Sequence, residues 1–192
     1  MKAVGLFGGT FDPIHIGHLI TAQAVKEIRN LEKIIFIPAY ISPHKTDKKH
    51  SESFQRLEML KLAIKDKRYF DYSDYEILKK DISYTFETLK ELKKKYNSIE
   101  LIIGYDNLVV FDTWKNPEEI LTLAKLIVLG REIKKPGTPN KFFKSAEFVK
   151  TPVLEISATQ LRERVRRDLP IDFFVPENVK EYIYKNNLYK EK

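Results

Sequence analysis

The chain contains no cysteine in its 192 residues, which excludes a disulfide framework, a thiolate zinc site and a cysteine nucleophile. A reducing cytoplasm is the location that fits. Long apolar runs are also missing: the first apolar stretch, Met1 to Phe7, runs straight into Gly8-Gly9 and is too short for a membrane span or a signal-peptide core. It reads as a buried strand. No internal repeat, long linker or low-complexity tract divides the chain, and neither zinc-finger spacing nor an aromatic-interleaved basic stripe occurs. The net charge of +7, from 34 Lys and Arg against 27 Asp and Glu, therefore favours anionic partners without selecting nucleic acid. Neither a nucleic-acid nor a membrane partner is expected, and the run Lys93-Lys94-Lys95 reads as solvated helix surface.

What is present is a 43% hydrophobic composition and enough length for one core. The expectation is a single domain over 1–192, with a C-terminal helical segment at about 157–190. Apolar runs bounded by turn signals predict inner strands at Ala3–Phe7, Lys33–Pro38, Ile99–Gly104, Leu126–Gly130 and Val153–Ile156, with a weaker candidate at Tyr69–Ser73. Helical periodicity predicts Ile16–Arg29, with Leu19, Ile20, Ala24, Val25 and Ile28 on one face, and Ser53–Lys65, with Leu57, Leu60, Leu62 and Ile64. Further helices are predicted at Thr85–Tyr96, Pro117–Ala124, Ala158–Arg167 and Pro176–Asn186, while Lys134–Lys144 reads as an irregular surface connection. The alternation points to an α/β fold: an open parallel sheet of five or six strands with helices on both faces.

A strand, a glycine pair and a helix in succession suit phosphate, because glycine lets backbone approach an anion and a helix N-terminus offers N–H groups. Gly8-Gly9 has neither the dinucleotide spacing nor the P-loop ending, so by itself it is also an ordinary tight turn. More information lies in His15 and His18, three residues apart at a helix start and so on one side of it. Each ring can donate to phosphoryl oxygens, aided by the helix dipole. Gly17 between them leaves room for a nucleotide. Taken alone, the pair also fits one histidine capping the helix and one packing in the core.

The string Gly8-Gly9-Thr10-Phe11-Asp12-Pro13-Ile14-His15-Ile16-Gly17-His18 resembles the signature of the adenylyltransferase branch of the nucleotidyltransferases, whose shared element is His-x-Gly-His. Ile156-Ser157-Ala158-Thr159-Gln160-Leu161-Arg162 resembles the family's second phosphate segment. That resemblance implies a Rossmann-like fold, ATP contacts from Gly8, Gly9, Thr10, Phe11 and Gly17, and phosphate contacts from Ser157, Thr159 and Arg162. Where the common version has a second serine, this chain has Ala158, so that contact does not carry over. Without the first motif, Ser157 would read as a helix cap and Arg162 as a surface group.

Over nearly its whole length the chain resembles the bacterial-type nicotinate-mononucleotide adenylyltransferases. The matching segments are Pro38-Ala39-Tyr40-Ile41-Ser42-Pro43-His44-Lys45, Ser83-Tyr84-Thr85, Gly104-Tyr105-Asp106, Trp114, and Val175-Pro176 through Leu188-Tyr189. The resemblance implies that His44 and Lys45 reach the mononucleotide phosphate. It also implies that N–H groups at Ser83, Tyr84 and Thr85 receive the nicotinate carboxylate, and that Trp114 stacks on the pyridinium ring. Gly104 and Asp106 would serve the nucleotide, Asp106 through ribose hydroxyls. Arg131, at the end of the next strand, is a weaker candidate for the same crevice. Read alone, Trp114 equally suits core packing, Thr85 and Asp106 helix capping, and His44 and Lys45 the surface.

The reaction implied is transfer of AMP from ATP to nicotinate mononucleotide, giving deamido-NAD and pyrophosphate by in-line displacement. His18 is expected at the α-phosphate; His15, Arg162 and Thr159 are expected at the β- and γ-phosphates with Mg2+, which is bound mainly by phosphate oxygens and water, so no protein metal ligands are expected. Two rivals are weighed. A sister adenylyltransferase would use phosphopantetheine or nicotinamide mononucleotide. A nucleic-acid-binding module draws on the charge and the arginines of Arg162–Arg167. Class I aminoacyl-tRNA synthetases share His-x-Gly-His, but no Lys-Met-Ser-Lys-Ser-like segment occurs here. Association of identical chains is left open.

Overall fold

A computed structural model describes residues 2–41, 51–130 and 140–190. Among these, six strands form one all-parallel sheet: β1 (Val4–Gly9), β2 (Ile34–Pro38), β3 (Phe70–Tyr72), β4 (Ile99–Gly104), β5 (Lys125–Gly130) and β6 (Ala146–Lys150). Their order is β3-β2-β1-β4-β5-β6. The chain moves outward from β1 to β3, then returns to β4 on the other side of β1. In such sheets ligands bind where the order reverses, beyond the carboxyl ends of the strands. Here that place lies over β1 and β4.

Side-chain alternation divides the core in two. In β2, Ile34 and Phe36 join one cluster and Ile35 and Ile37 the other; in β4, Ile102 faces the first while Leu101 and Ile103 face the second. Both faces of the strands are thus buried, and the runs read as continuously apolar for that reason. The first face is covered by α1 (Ile16–Ile28), α2 (Ser53–Ile64), α7 (Ala158–Arg166) and α8 (Glu177–Lys185). The second is covered by α4 (Thr85–Lys93), α5 (Tyr105–Val109) and α6 (Pro117–Leu123). A short α3 (Tyr75–Lys79) follows β3.

Several expectations need correction. Val153–Ile156 is not a strand; the sixth strand is Ala146–Lys150, on the sheet edge, where Phe148 and Lys150 are exposed and only Val149 is buried. An edge strand with one buried residue has little apolar signal, whereas Val153–Ile156 is apolar but makes no ladder. In α1 the residues buried are Ala22 and Val25, while Ile20 and Ile28 are exposed. Helix α3 has no counterpart among the expected elements, since five residues are too short to show a period; the short helix expected beside Asp106 is α5, with Asp106 in its first turn rather than at its cap. Pro176 is the cap of α8 rather than its first residue. Of the connection expected at Lys134–Lys144, residues 134–139 lie outside the described residues, as does Arg131, but Lys141–Ser145 forms a 3-10 turn that buries Phe142.

Candidate active site

The polypeptide leaves β1 at Gly8-Gly9 and must turn sharply to start α1. Phe11 takes a left-handed backbone (φ 50°) and drives its ring between Phe7, Phe36 and His18, with centroids 6.1, 5.6 and 5.1 Å away. A left-handed non-glycine residue costs about 1–2 kcal/mol, offset here by burial of the ring. Gly9 is required by that packing, since a Cβ there would lie 2.8 Å from the Phe11 ring. A Cβ at Gly8 would meet nothing within 4 Å, so the backbone there faces open space.

His15 occupies the N-cap of α1 and is 5% exposed; His18 lies one turn on, the two rings stacked with centroids 3.6 Å apart. The backbone N–H of His15 donates to His18 Nδ1 at 3.2 Å. That bond requires a lone pair on Nδ1 and leaves the His18 proton on Nε2. His15 Nδ1 is buried without a hydrogen-bond partner. Burial lowers the His15 pKa to about 4, so at neutral pH the ring is an uncharged donor. Gly17 has a nearer neighbour than any nucleotide: a Cβ there would stand 3.1 Å from the His15 ring and 3.8 Å from Ile156 Cβ. The glycine seats His15 and lets the segment before α7 approach.

That approach brings a second helix start to the motif. Ser157 caps α7, its Oγ accepting from Gln160 N–H at 3.2 Å while its own N–H donates to Gln160 Oε1 at 3.1 Å, so the capping alternative is realised. Arg162 donates through Nη1 to the Asp12 carbonyl at 2.7 Å and through Nη2 to Thr159 Oγ1 at 3.2 Å, tying α7 to the glycine-rich turn. The Asp12 side chain, 1% exposed, accepts from Ser51 N–H at 3.1 Å and from the Tyr189 hydroxyl at 2.8 Å. Burial and the Asp12 carboxylate raise the Tyr189 pKa. Residues near both ends of the chain thus meet at Asp12.

Arg56 was not foreseen. It is 2% exposed and donates to the carbonyls of Ser51, Thr10 and Tyr40 at 3.2, 2.8 and 3.1 Å. Three carbonyls satisfy its fork, and the motif is thereby joined to the segments flanking 42–50. A signal existed in the sequence: Arg56 stands three and four residues before Met59 and Leu60, a charge on the apolar face of α2.

Over β1 and β4, where the strand order reverses, lies a cleft of about 250 Å3. It brings together Gly8, Gly9, Thr10, Ser83, Tyr84, Thr85, Gly104 and Trp114, which stand far apart in sequence. Tyr84, not Thr85, is the N-cap of α4, and it makes no side-chain cap bond. The first N–H groups of a helix have no acceptor one full turn back, and the residues that carry the first of them here, Tyr84 and Thr85, line the cleft. Trp114 is half-buried, tilted 40° on Phe111 at 5.0 Å. Among the described residues lining the cleft the charged side chains are Glu76 and Lys115. Neither was singled out from sequence; Lys115 adjoins Trp114, while Glu76 sits in the unpredicted α3.

His15, His18, Ser157, Thr159 and Arg162 do not line this cleft; they form a wall on the α1 and α7 side of the glycine turn. Asp106 is exposed in the first turn of α5, and the cleft is lined instead by its neighbour Asn107. His44 and Lys45 lie outside the described residues. Among the described residues no group of three or more His, Asp or Glu could hold a metal ion, and no helix is long and apolar enough to cross a membrane.

Comparison with known proteins agrees with this geometry. Residues 6–164 match the model of the family described as cytidylyltransferase-like. Over all of both chains the sequence is 41% identical to a Clostridium botulinum protein named "Probable nicotinate-nucleotide adenylyltransferase". It is 38% identical to the nicotinate-nucleotide adenylyltransferase of Bacillus subtilis, covering 99% of this chain and 100% of that one. A Plasmodium falciparum nicotinic acid mononucleotide adenylyltransferase, solved in complex with APC, superposes with a TM-score of 0.74 at 19% identity over 98% of each chain, a likeness of fold. On family match, sequence identity and coverage together, the chain belongs to the cytidylyltransferase-like family and, within it, to the nicotinate-nucleotide adenylyltransferases.

Proposed function

We propose that the cleft and the histidine wall are the two halves of one site, in which a phosphate oxygen of nicotinate mononucleotide attacks the α-phosphorus of ATP. The O–P bond to AMP forms as the bond to pyrophosphate breaks, and the product is deamido-NAD. The observation carrying this reading is the shared turn Gly8-Gly9-Thr10, which lines the cleft and leads directly into His15 and His18. An acceptor seated in the cleft and a triphosphate seated on the α1 and α7 starts would meet over Gly8, where backbone faces open space.

The nucleophile is already an anion, so alignment and stabilisation of phosphoryl charge are the tasks left to the protein. His18 donates from Nε2 to the α-phosphate oxygens. His15, Thr159 and Arg162 hold the outer phosphates, with N–H groups at the α7 start and Ser157. Phe11 and Gly17 keep the two imidazoles in place, and Gly104 and Asp106 flank the nucleoside. Trp114 offers a face to the cationic ring, and the first N–H groups of α4, at Tyr84 and Thr85 after Ser83, meet the carboxylate that nicotinamide lacks. His44 and Lys45 serve the acceptor phosphate. Magnesium, when present, neutralises charge on the departing pyrophosphate; the described side chains offer no cage for it, and an ion carried on ATP phosphates and water needs none. On this reading all of these parts belong to one nucleotidyltransferase domain, and a cytoplasmic location suits phosphorylated substrates, which do not cross membranes freely.

Mass spectrometry of products after incubation with ATP, Mg2+ and equal nicotinate and nicotinamide mononucleotides tests the reading. Deamido-NAD should dominate. NAD as the main dinucleotide, or no dinucleotide at all, would reject it.

A further inference from the structure

The lining of the cleft includes a buried acid to which none of these substrate contacts assigns a role. Glu76, in α3, lines the cleft and is 8% exposed. Its carboxylate accepts from Thr88 Oγ1 of α4 at 2.5 Å and from the Ser83 hydroxyl. Ser83 is also held from the other side: its Oγ accepts from Tyr40 N–H at 2.9 Å, and its N–H donates to the Ile41 carbonyl at 2.9 Å. Ile41 and Ile82 form an isolated parallel bridge. One carboxylate therefore connects α3, the turn that begins α4, and the segment leaving β2.

Burying a carboxyl group is unfavourable unless hydrogen bonds replace its water. Burial does raise the Glu76 pKa, against the opposing pull of Thr88, Ser83 and Lys79. The two hydroxyls that replace water both come from the chain around the α4 start, one before its first turn and one at its fourth residue. The same turn is also held by Lys115, whose ammonium lies 4.3 Å from the centre of the Tyr84 ring and donates to Glu87 at 2.6 Å. A buried carboxylate and a cation together hold a turn whose own cap position makes no side-chain bond.

We propose that Glu76 is a positioning residue for acceptor recognition: by gripping Ser83 and Thr88 it sets the direction of the first N–H groups of α4, so that they meet a carboxylate on the acceptor ring. Glu76 itself touches no substrate. The inference rests on the proposed acceptor site, and its signature is selective. Loss of the brace misdirects N–H groups used by the acid and not by the amide, and leaves the ATP wall untouched.

The test is steady-state kinetics of the whole chain with nicotinate or nicotinamide mononucleotide as acceptor, for wild type, Glu76→Ala, Glu76→Gln and Thr88→Val. Glu76→Ala should raise KM for the acid by about tenfold, the loss expected when one well-made buried hydrogen bond is removed, with kcat and the KM for ATP changed less than about twofold. The amide's kcat/KM should not fall. Glu76→Gln keeps an acceptor for one hydroxyl and a donor for the other, and should restore most of the acid's KM; Thr88→Val should fall between. An acid-to-amide preference unchanged in Glu76→Ala, or Gln as damaging as Ala, overturns the proposal. Should the alanine variant fail to fold, an unchanged preference in Thr88→Val overturns it equally. A wild-type enzyme that does not adenylylate nicotinate mononucleotide removes the acceptor reading itself; one that does, with variants indistinguishable from it, removes only the role of Glu76.

Discussion

The two sides of the glycine turn are built in contrasting ways. On the α1 and α7 side, two stacked imidazoles stand at one helix start, and Arg162 ties the other helix to the Asp12 carbonyl, Asp12 being held in turn by Tyr189. On the β4 and α4 side there is an open cleft of about 250 Å3, walled by aliphatic strand ends, Trp114 and the uncapped start of α4. A rigid, donor-rich wall suits phosphates, which are alike in every nucleotide. A shaped cleft that sets polar side chains such as Thr85, Thr88 and Asn107 among aliphatic ones suits a ring that must be told from its near copies. The difference predicts that lesions in the wall lower turnover and lesions in the cleft alter acceptor choice.

The largest effect should follow His18→Ala. Removing a donor aimed at developing charge costs about 10²–10³ in kcat, and stopped assays at saturating substrates would measure it; near-normal turnover would remove His18 from the chemistry. The acid lability of the wall comes next. The His15 pKa is held near 4 in the folded chain, below its ordinary value of 6.5. The unfolded chain therefore takes up a proton first as pH falls. Stability from the neutral ring is complete above about pH 6.5 and is lost on the way down towards pH 4. The sum is about 2 kcal/mol between pH 7.5 and pH 5. It should appear as the difference in urea-unfolding free energy between the chain and His15→Asn at the two pH values, and an equal pH dependence in both would contradict it.

Trp114→Ala sharpens the comparison from the other side. Stacking on a cationic ring is worth about 1–2 kcal/mol, so KM for nicotinate mononucleotide should rise about tenfold. Equal loss of ATP binding would mean that Trp114 chiefly supports Phe111 and the fold. The smallest effect belongs to Tyr189→Phe, which leaves the Asp12 carboxylate one donor short. A thermal or urea melt should show a loss of about 1 kcal/mol. No change would mean that the link between the chain's end and the motif carries no weight.

The two regions also differed in how openly the sequence displayed them. Most of the phosphate wall is one continuous string, Gly8 to His18, plus Ser157 to Arg162, so its members are legible in the sequence. What the string could not tell was that Gly17 makes space for His15, or that Arg162 turns back onto the Asp12 carbonyl. The cleft is assembled from strand ends and loops separated by dozens of residues. Ser83, Tyr84, Thr85 and Trp114 entered only through family resemblance, and Glu76, Thr88 and Asn107 not at all. A buried glutamate in a five-residue helix has no periodic neighbours to mark its face. Four of the six strands stood out because their apolar runs are continuous; β3, the short edge strand Phe70–Tyr72 with only Phe70 buried, gave a weaker signal, and β6 gave none, because an edge strand exposing Phe148 and Lys150 looks like a loop.

The division of labour across Gly8-Gly9 is tested most directly by measuring kcat and both KM values, side by side, for His18→Ala and Trp114→Ala. A fall in kcat with acceptor KM unchanged in the first, and a rise in acceptor KM with ATP KM unchanged in the second, is the predicted outcome. Two variants that weaken both substrates alike would contradict it.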